Sequence, residues 1–306
     1  MMHTDTFHEP GDNPDWNESF YFNAYDREQD ICLFMRIGHK PNRREKMMFC
    51  YIMHPDGTFM GLRGEEPLVV RDLRVMGLSY DMQEPELRWK LLFDGQMQHV
   101  TKDGPLMAEV FFDLDFVGLH EIFNYRRCVT DEFKERISQV AASEHLEQFG
   151  RITGSLAING TKYELDALGE RDHSWGVRDW NAPKMWVWLT GEFSEKEAFN
   201  VTKLYVEQGI VDAGFFHESG KTSALDIVDI DITYDASGTP ASFTLALEDT
   251  EGESRAVDAR VMRHVALPFT SPDGTQKSVM YETLAEYTYN GKKGYGIAEF
   301  LLRKEE

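Results

Sequence analysis

Apolar and polar residues alternate with a period of two through much of the chain, which predicts strands rather than helices. Over 109–116, Val110, Phe112, Leu114 and Phe116 share one face, and Glu109, Asp113 and Asp115 share the other. Over 152–158, Ile152, Leu156 and Ile158 alternate with Thr153, Ser155 and Ala157. Asn159-Gly160 follows, and then Tyr163, Leu165 and Ala167 alternate with Lys162, Glu164 and Asp166. Two alternating runs joined by Asn-Gly predict a hairpin, because a type I′ turn needs positive φ at both central residues. The runs 227–235 and 242–248 repeat the pattern, and Pro55-Asp56-Gly57, Ser219-Gly220 and Asn290-Gly291 supply further turn signals. Short strands with regular turns predict an antiparallel all-β protein, either a sandwich or a barrel. A parallel α/β fold needs helical patterns between its strands, and these are missing.

One segment reads as a helix. Over 131–142, Phe133, Ile137, Val140 and Ala141 fall at helical spacing, with Thr130 as N-cap and Asp131 and Glu132 in the first turn. This helix is expected to bridge two β units, 1–144 and 145–306.

Composition narrows the partners. The 306 residues include 53 Asp and Glu against 32 Lys and Arg, a formal charge of -21. Nucleic-acid binding needs clustered basic residues to neutralise phosphate, so this balance argues against it. It argues equally against an anionic membrane surface. The apolar share of 42% and aromatic share of 12% are too high for a disordered chain. Cys32, Cys50 and Cys128 are odd in number and widely spaced, which is neither a disulfide framework nor a zinc pattern. The start of the chain, Met1 to Glu18, has no apolar run of a signal peptide, and no stretch approaches the ~20 apolar residues of a spanning helix. A soluble, cytoplasmic protein is expected, with a homodimer among the assemblies open to it.

The densest unusual segment is Gly169-Glu170-Arg171-Asp172-His173-Ser174-Trp175-Gly176-Val177-Arg178-Asp179-Trp180, followed by Trp186 and Trp188. Alternation lapses over 169–176, which predicts a corner between strands. Adjacent Asp172 and His173 point to opposite faces of an extended chain, so only a turn would pair them. Either could donate or accept a proton when partly buried. The structural alternative is an Arg–Asp salt bridge and a histidine satisfying a backbone carbonyl. Trp186 and Trp188 share one strand face, as core or as cavity wall. An indole face also stabilises cationic character.

A second cluster lies over 16–26. Glu18, Phe20, Phe22 and Ala24 share one face of a strand; Asn17, Ser19, Tyr21, Asn23 and Tyr25 share the other. The polar-aromatic face suits either a wet cavity or an edge strand facing solvent. Glu18 on the apolar face needs a partner or a raised pKa. Near the C-terminus, Glu282 and Glu286 share a face, as acid–base groups or as ion-pair partners of Arg178 or Lys203. There is no phosphate-binding loop, nucleophile elbow or metal-ligand spacing of histidines, so neither metal nor cofactor is expected.

The stretch Gly169–Gly176, with Trp180 and Trp186-Val187-Trp188 after it, resembles the signature of the AttH-like and carotenoid-hydratase-like superfamily. Trp16 to Asp26 resembles the N-terminal strand of its bacterial members. The resemblance implies two lipocalin-like (calycin) antiparallel β-barrels packed side by side, with the ligand site near their junction. It also implies hydration of isoprenoid double bonds, dehydration, or pericyclic and cyclisation reactions on hydrophobic polyenes, in several members without a cofactor. Asp172, His173 and Trp175 match the motif residue by residue.

Together these features lead to one expectation: a cofactor-independent lyase, hydratase or isomerase acting on a hydrophobic isoprenoid or aromatic small molecule. Its catalytic groups would be Asp172, His173, Glu18 and Glu286. Its substrate-binding groups would be Trp16, Tyr21, Tyr25, Arg171, Trp175, Arg178, Trp180, Trp186, Trp188 and Lys203. The alternative is a lipocalin-type binder that holds a hydrophobic ligand unchanged. If His173 is catalytic, His173→Ala loses turnover but stays folded; if it is structural, the same change loses stability.

Overall fold

The computed structural model describes residues 4–129, 132, 135, 144–177, 183–207, 209–270 and 277–303. It is built almost wholly of antiparallel strands. In chain order they are β1 (Trp16–Asp26), β2 (Ile31–Lys40), β3 (Glu45–Met53), β4 (Phe59–Pro67), β5 (Arg74–Val75) and β6 (Leu78–Glu84). Next come β7 (Arg88–Thr101), β8 (Gly104–Gly118), β9 (Phe123–Asn124), β10 (Glu144–Ile158), β11 (Thr161–Val177), β12 (Met185–Ser194) and β13 (Glu197–Val206). The last six are β14 (Gly209–Glu218), β15 (Lys221–Tyr234), β16 (Pro240–Asp249), β17 (Ser254–Thr270), β18 (Lys277–Tyr289) and β19 (Lys292–Arg303).

These strands form two compact units. The first comprises Met1–Ile122 and Glu144–Arg178, the second Phe123–Ser143 and Asp179–Glu306. In the first, neighbours run β4-β3-β2-β1-β11-β10-β8-β7, and a further β4–β7 pairing joins the two ends of that row into a ring. Its interior holds Phe20, Phe22, Trp89, Phe112, Phe116 and their apolar neighbours. In the second, β12 to β19 follow one another around a closed barrel, with Leu189, Phe199, Phe216 and Tyr287 in its core. Closure removes the unpaired edges that a flat sheet would leave.

The hairpin expected at Asn159-Gly160 joins β10 to β11. Both residues have positive φ, 49° and 81°, and Ile158 pairs with Thr161 across them. Asn290-Gly291 turns β18 into β19 in the same way, with φ of 48° and 75°.

Three expectations are corrected. The division near residue 144 is displaced, because β10 and β11 complete the first unit: β11 pairs with β1 from Trp16↔Val177 to Tyr25↔Leu168. No local pattern encodes a partner some 150 residues away. Residues 169–176 are no corner but the end of the continuous strand β11. Alternation lapses there because both faces of the strand are buried. Nor is β1 an edge: it lies between β2 and β11 and is buried along its whole length. The helix expected over 131–142 falls outside the described residues, apart from Glu132 and Glu135.

Candidate functional site

The register of β11 against β1 decides where the motif points. His173 lies opposite Phe20, and Arg171 opposite Phe22, both of them core residues. Asp172 lies opposite Tyr21, and Ser174 opposite Ser19, on the other face. Arg171, His173 and Trp175 therefore face the interior of the first unit, and Asp172 and Ser174 face away from it.

On the interior side the motif grips the N-terminal segment. The Glu18 carboxylate, fully buried, lies 2.7 Å from His8 Nδ1 and 3.0 Å from His173 Nε2 through Oε1. Its Oε2 accepts from Arg71 Nη2 at 2.7 Å. His173 Nδ1 lies 2.9 Å from the carbonyl oxygen of Thr4. Phe20 stacks on the His173 ring at 3.9 Å, and His8 stacks on Trp175 at 3.6 Å. Burial pushes the Glu18 carboxyl up, but the hydrogen bonds from His173 and His8 outweigh it and hold the group at about 2. Burial pushes His173 down, against the pull of Glu18.

Arg171 extends the same grip. It donates to Asp5 Oδ1 at 2.7 Å and to Gln148 Oε1 at 2.7 Å. Asp5 also accepts from the backbone N–H of Glu86 at 2.6 Å. The anticipated partner of the buried Glu18 thus exists, while Arg171 pairs with Asp5 rather than with Asp172.

The opposite face carries a second cluster. His145 and Glu147 alternate on β10 and share a face, beside Ser174 and Asp172 of β11. His145 Nε2 lies 3.0 Å from Glu147 Oε1 and also contacts Asp172 Oδ2. Ser174 Oγ donates to Asp172 Oδ1 at 2.9 Å and lies 3.2 Å from Ser19 Oγ. All three ionisable groups are buried. Burial alone would push His145 down, but Asp172 and Glu147 outweigh it and hold the imidazole up at about 9. The imidazole thus stands against two carboxylates, with the Ser174 hydroxyl hydrogen-bonded to one of them.

The remaining sequence candidates divide between the units. Trp16 lies under the Arg71 guanidinium at 5.9 Å, beside Glu18. Tyr21 is on the Asp172 face, edge-on to Phe49, and Tyr25 donates to Asp30 at 2.7 Å. Arg178 and Trp180 lie outside the described residues.

Trp186, Trp188, Lys203 and Glu286 belong to the second unit. Trp186 and Trp188 lie on the face of β12 opposite the core residues Val187 and Leu189. Lys203 binds Asp212 at 2.9 Å and the carbonyl of Val228. Glu286 pairs with Arg260 at 2.9 Å and Lys293 at 3.1 Å, while Lys203 pairs with Asp212 instead. These two are satisfied ion pairs, held by cross-strand neighbours that the sequence does not reveal.

Sequence reasoning missed His145, Glu147, His8, Asp5 and Arg71. The spacing His145-x-Glu147 puts both on one strand face and was the available signal. Among the described residues, two groups bring three metal-ligating atoms together: His8, Glu18 and His173, and His145, Glu147 and Asp172.

The profile of the family described as a domain of unknown function, DUF7064, matches residues 1–303. The chain belongs to this family. No curated protein matches it by sequence. Its fold is similar to that of CghA solved with Sch210972, at TM-score 0.62 and 12% identity, covering 100% of this chain and 96% of that one. It is similar to a protein assigned as AttH from Nitrosomonas europaea, at TM-score 0.64 and 11% identity, covering 93% and 92%. It is also similar to kievitone hydratase from Nectria haematococca, at TM-score 0.61 and 11% identity, covering 93% and 88%. The fold is thus the AttH-like double lipocalin. At such identities the likeness is one of fold.

Proposed function

We propose that the protein is a lyase of the hydratase type, or an isomerase, that moves protons on a hydrophobic isoprenoid or aromatic small molecule. The observation that carries this reading is the His145 imidazole set between Glu147 and Asp172 in a buried site. His145 is the proton donor, since it stays charged at neutral pH. Asp172, steadied by Ser174, accepts a proton in turn. Hydration of an alkene needs one proton delivered to carbon and one removed from water, so one acid and one base suffice. General acid–base help of this kind is typically worth ~100- to 10,000-fold. Tyr21, Phe34, Phe49 and Tyr51 cluster on the same face of the sheet and supply flat apolar surface. The name of kievitone hydratase, a protein of this fold, supports hydration as the reaction type. The chemistry is carried by side chains alone.

The reading moves catalysis from His173 to His145. His173, Glu18 and Arg171 become the grip on the N-terminal segment. Glu286, in its own ion-pair cluster, takes no part.

The test begins with native mass spectrometry of the purified protein, to find a retained small molecule. That molecule is then incubated with wild type, His145→Gln and Asp172→Asn, and the products are separated by liquid chromatography and weighed. Gain or loss of one water, or a new isomer, with wild type and a rate at least ~100-fold lower in both variants is expected. A ligand bound by all three and changed by none favours the binding protein instead.

A further inference from the structure

The interior cluster poses a problem of counting protons, independent of the acid–base reading. His173 Nδ1 lies 2.9 Å from the Thr4 carbonyl, and Nε2 lies 3.0 Å from Glu18 Oε1. Both neighbours are acceptors. A neutral imidazole carries one N–H. If Nδ1 serves the carbonyl, the bare lone pair of Nε2 faces a carboxylate oxygen. A cation between them removes the conflict.

Three features favour a metal ion in that place. Glu18 Oε2 is held by Arg71, which leaves Oε1 turned to the two imidazoles. A ring N–H donated to a backbone carbonyl is the arrangement that orients a metal-bound histidine, and Thr4 provides it. Ligand atoms set tetrahedrally on bonds of ~2.1 Å lie ~3.4 Å apart. All three atoms here lie within 4.8 Å of one another, and the spacings to Glu18 Oε1, 2.7 Å from His8 and 3.0 Å from His173, need only a small outward shift of the part-exposed His8 ring to admit an ion.

We propose that His8 Nδ1, Glu18 Oε1 and His173 Nε2 bind a divalent transition-metal ion of the zinc class, tying the N-terminal segment to β1 and β11. Two imidazoles and a carboxylate suit zinc, cobalt or nickel, whereas magnesium and calcium require oxygen ligands. The ion enters on the His8 side, where that side chain is 30% exposed while Glu18 is sealed. Arg71 already balances Glu18, so the ion brings surplus positive charge and its open position suits hydroxide or another small anion. The other convergent group, around His145, does not need a metal: its imidazolium is already paired to two carboxylates.

The test uses the untagged full chain, stripped with chelator and titrated with Co²⁺ under visible absorption and calorimetry. One equivalent bound with ligand-field bands, displaced by Zn²⁺, is expected. His8→Ala changes a part-exposed side chain, and Glu18→Gln removes the anionic ligand; each weakens binding at least ~10-fold. Replacing the exposed His264 by Ala leaves binding as in wild type. No stoichiometric uptake by wild type overturns the proposal, because a proton alone then fills the place. So does uptake that survives His8→Ala, or that is lost only in His145→Ala.

Discussion

Asp172 and His173, neighbours in the chain, face opposite sides of β11 and serve different clusters. His173 bonds Glu18 and Thr4 on the interior side, while Asp172 meets His145 and Ser174 on the other. One motif thus faces two ways: Arg171, His173 and Trp175 contact the N-terminal segment, and Asp172 and Ser174 join the cluster around His145.

This division separates the two residues by experiment. His173→Ala removes a fully buried ring, strands the Thr4 carbonyl and takes one of the hydrogen bonds from the Glu18 carboxylate, which keeps His8 and Arg71. Cavity and lost hydrogen bonds together are expected to cost about 3 kcal/mol, read by urea denaturation. Asp172→Asn keeps the shape and the Ser174 contact, and is expected to cost less while abolishing turnover. A His173→Ala protein as stable as wild type would remove the clamp reading.

Asp5 offers a second test of the grip. Arg171 is buried and its charge is balanced by Asp5. Asp5→Asn removes that guanidinium's nearest counter-charge, and breaking a buried pair typically costs about 3–5 kcal/mol. Thermal melting should fall accordingly, and limited proteolysis should reach the first ten or so residues sooner than in wild type. Equal melting and equal cleavage would count against the pair.

His145 predicts a pH dependence. Its folded value of about 9 lies above the ordinary 6.5. The imidazolium contribution to stability is therefore fully present below pH 6.5 and is lost as pH rises through 9. Denaturation of wild type and His145→Gln should differ most below 6.5 and converge above 9. Turnover should fall over the same upper limb, as the proton donor empties. A gap that widens with rising pH would contradict the assignment.

Some of this could be read from the chain itself. Period-two alternation determined the strands, and Asn159-Gly160 determined a hairpin. The same alternation puts Glu18 on an apolar face in need of a partner; at Asp172 and His173 it lapses and points to a corner, and only the continuous strand seen in the structure sets the two side chains on opposite faces. What alternation determines is local: side-chain direction along a strand follows from backbone geometry over a few residues. The tertiary structure alone decided which partner each residue meets. Glu18 finds His173 because β1 pairs with β11 in one register, and a slip of one residue would turn every side chain to the other face. His145 meets Asp172 because the hairpin from Asn159-Gly160 runs the full length of both strands. The same pairing places β10 and β11 in the first unit, across the boundary that the chain order suggested. Closure of a barrel joins strands far apart in sequence, and it is set by the whole ring of neighbours rather than by any one segment.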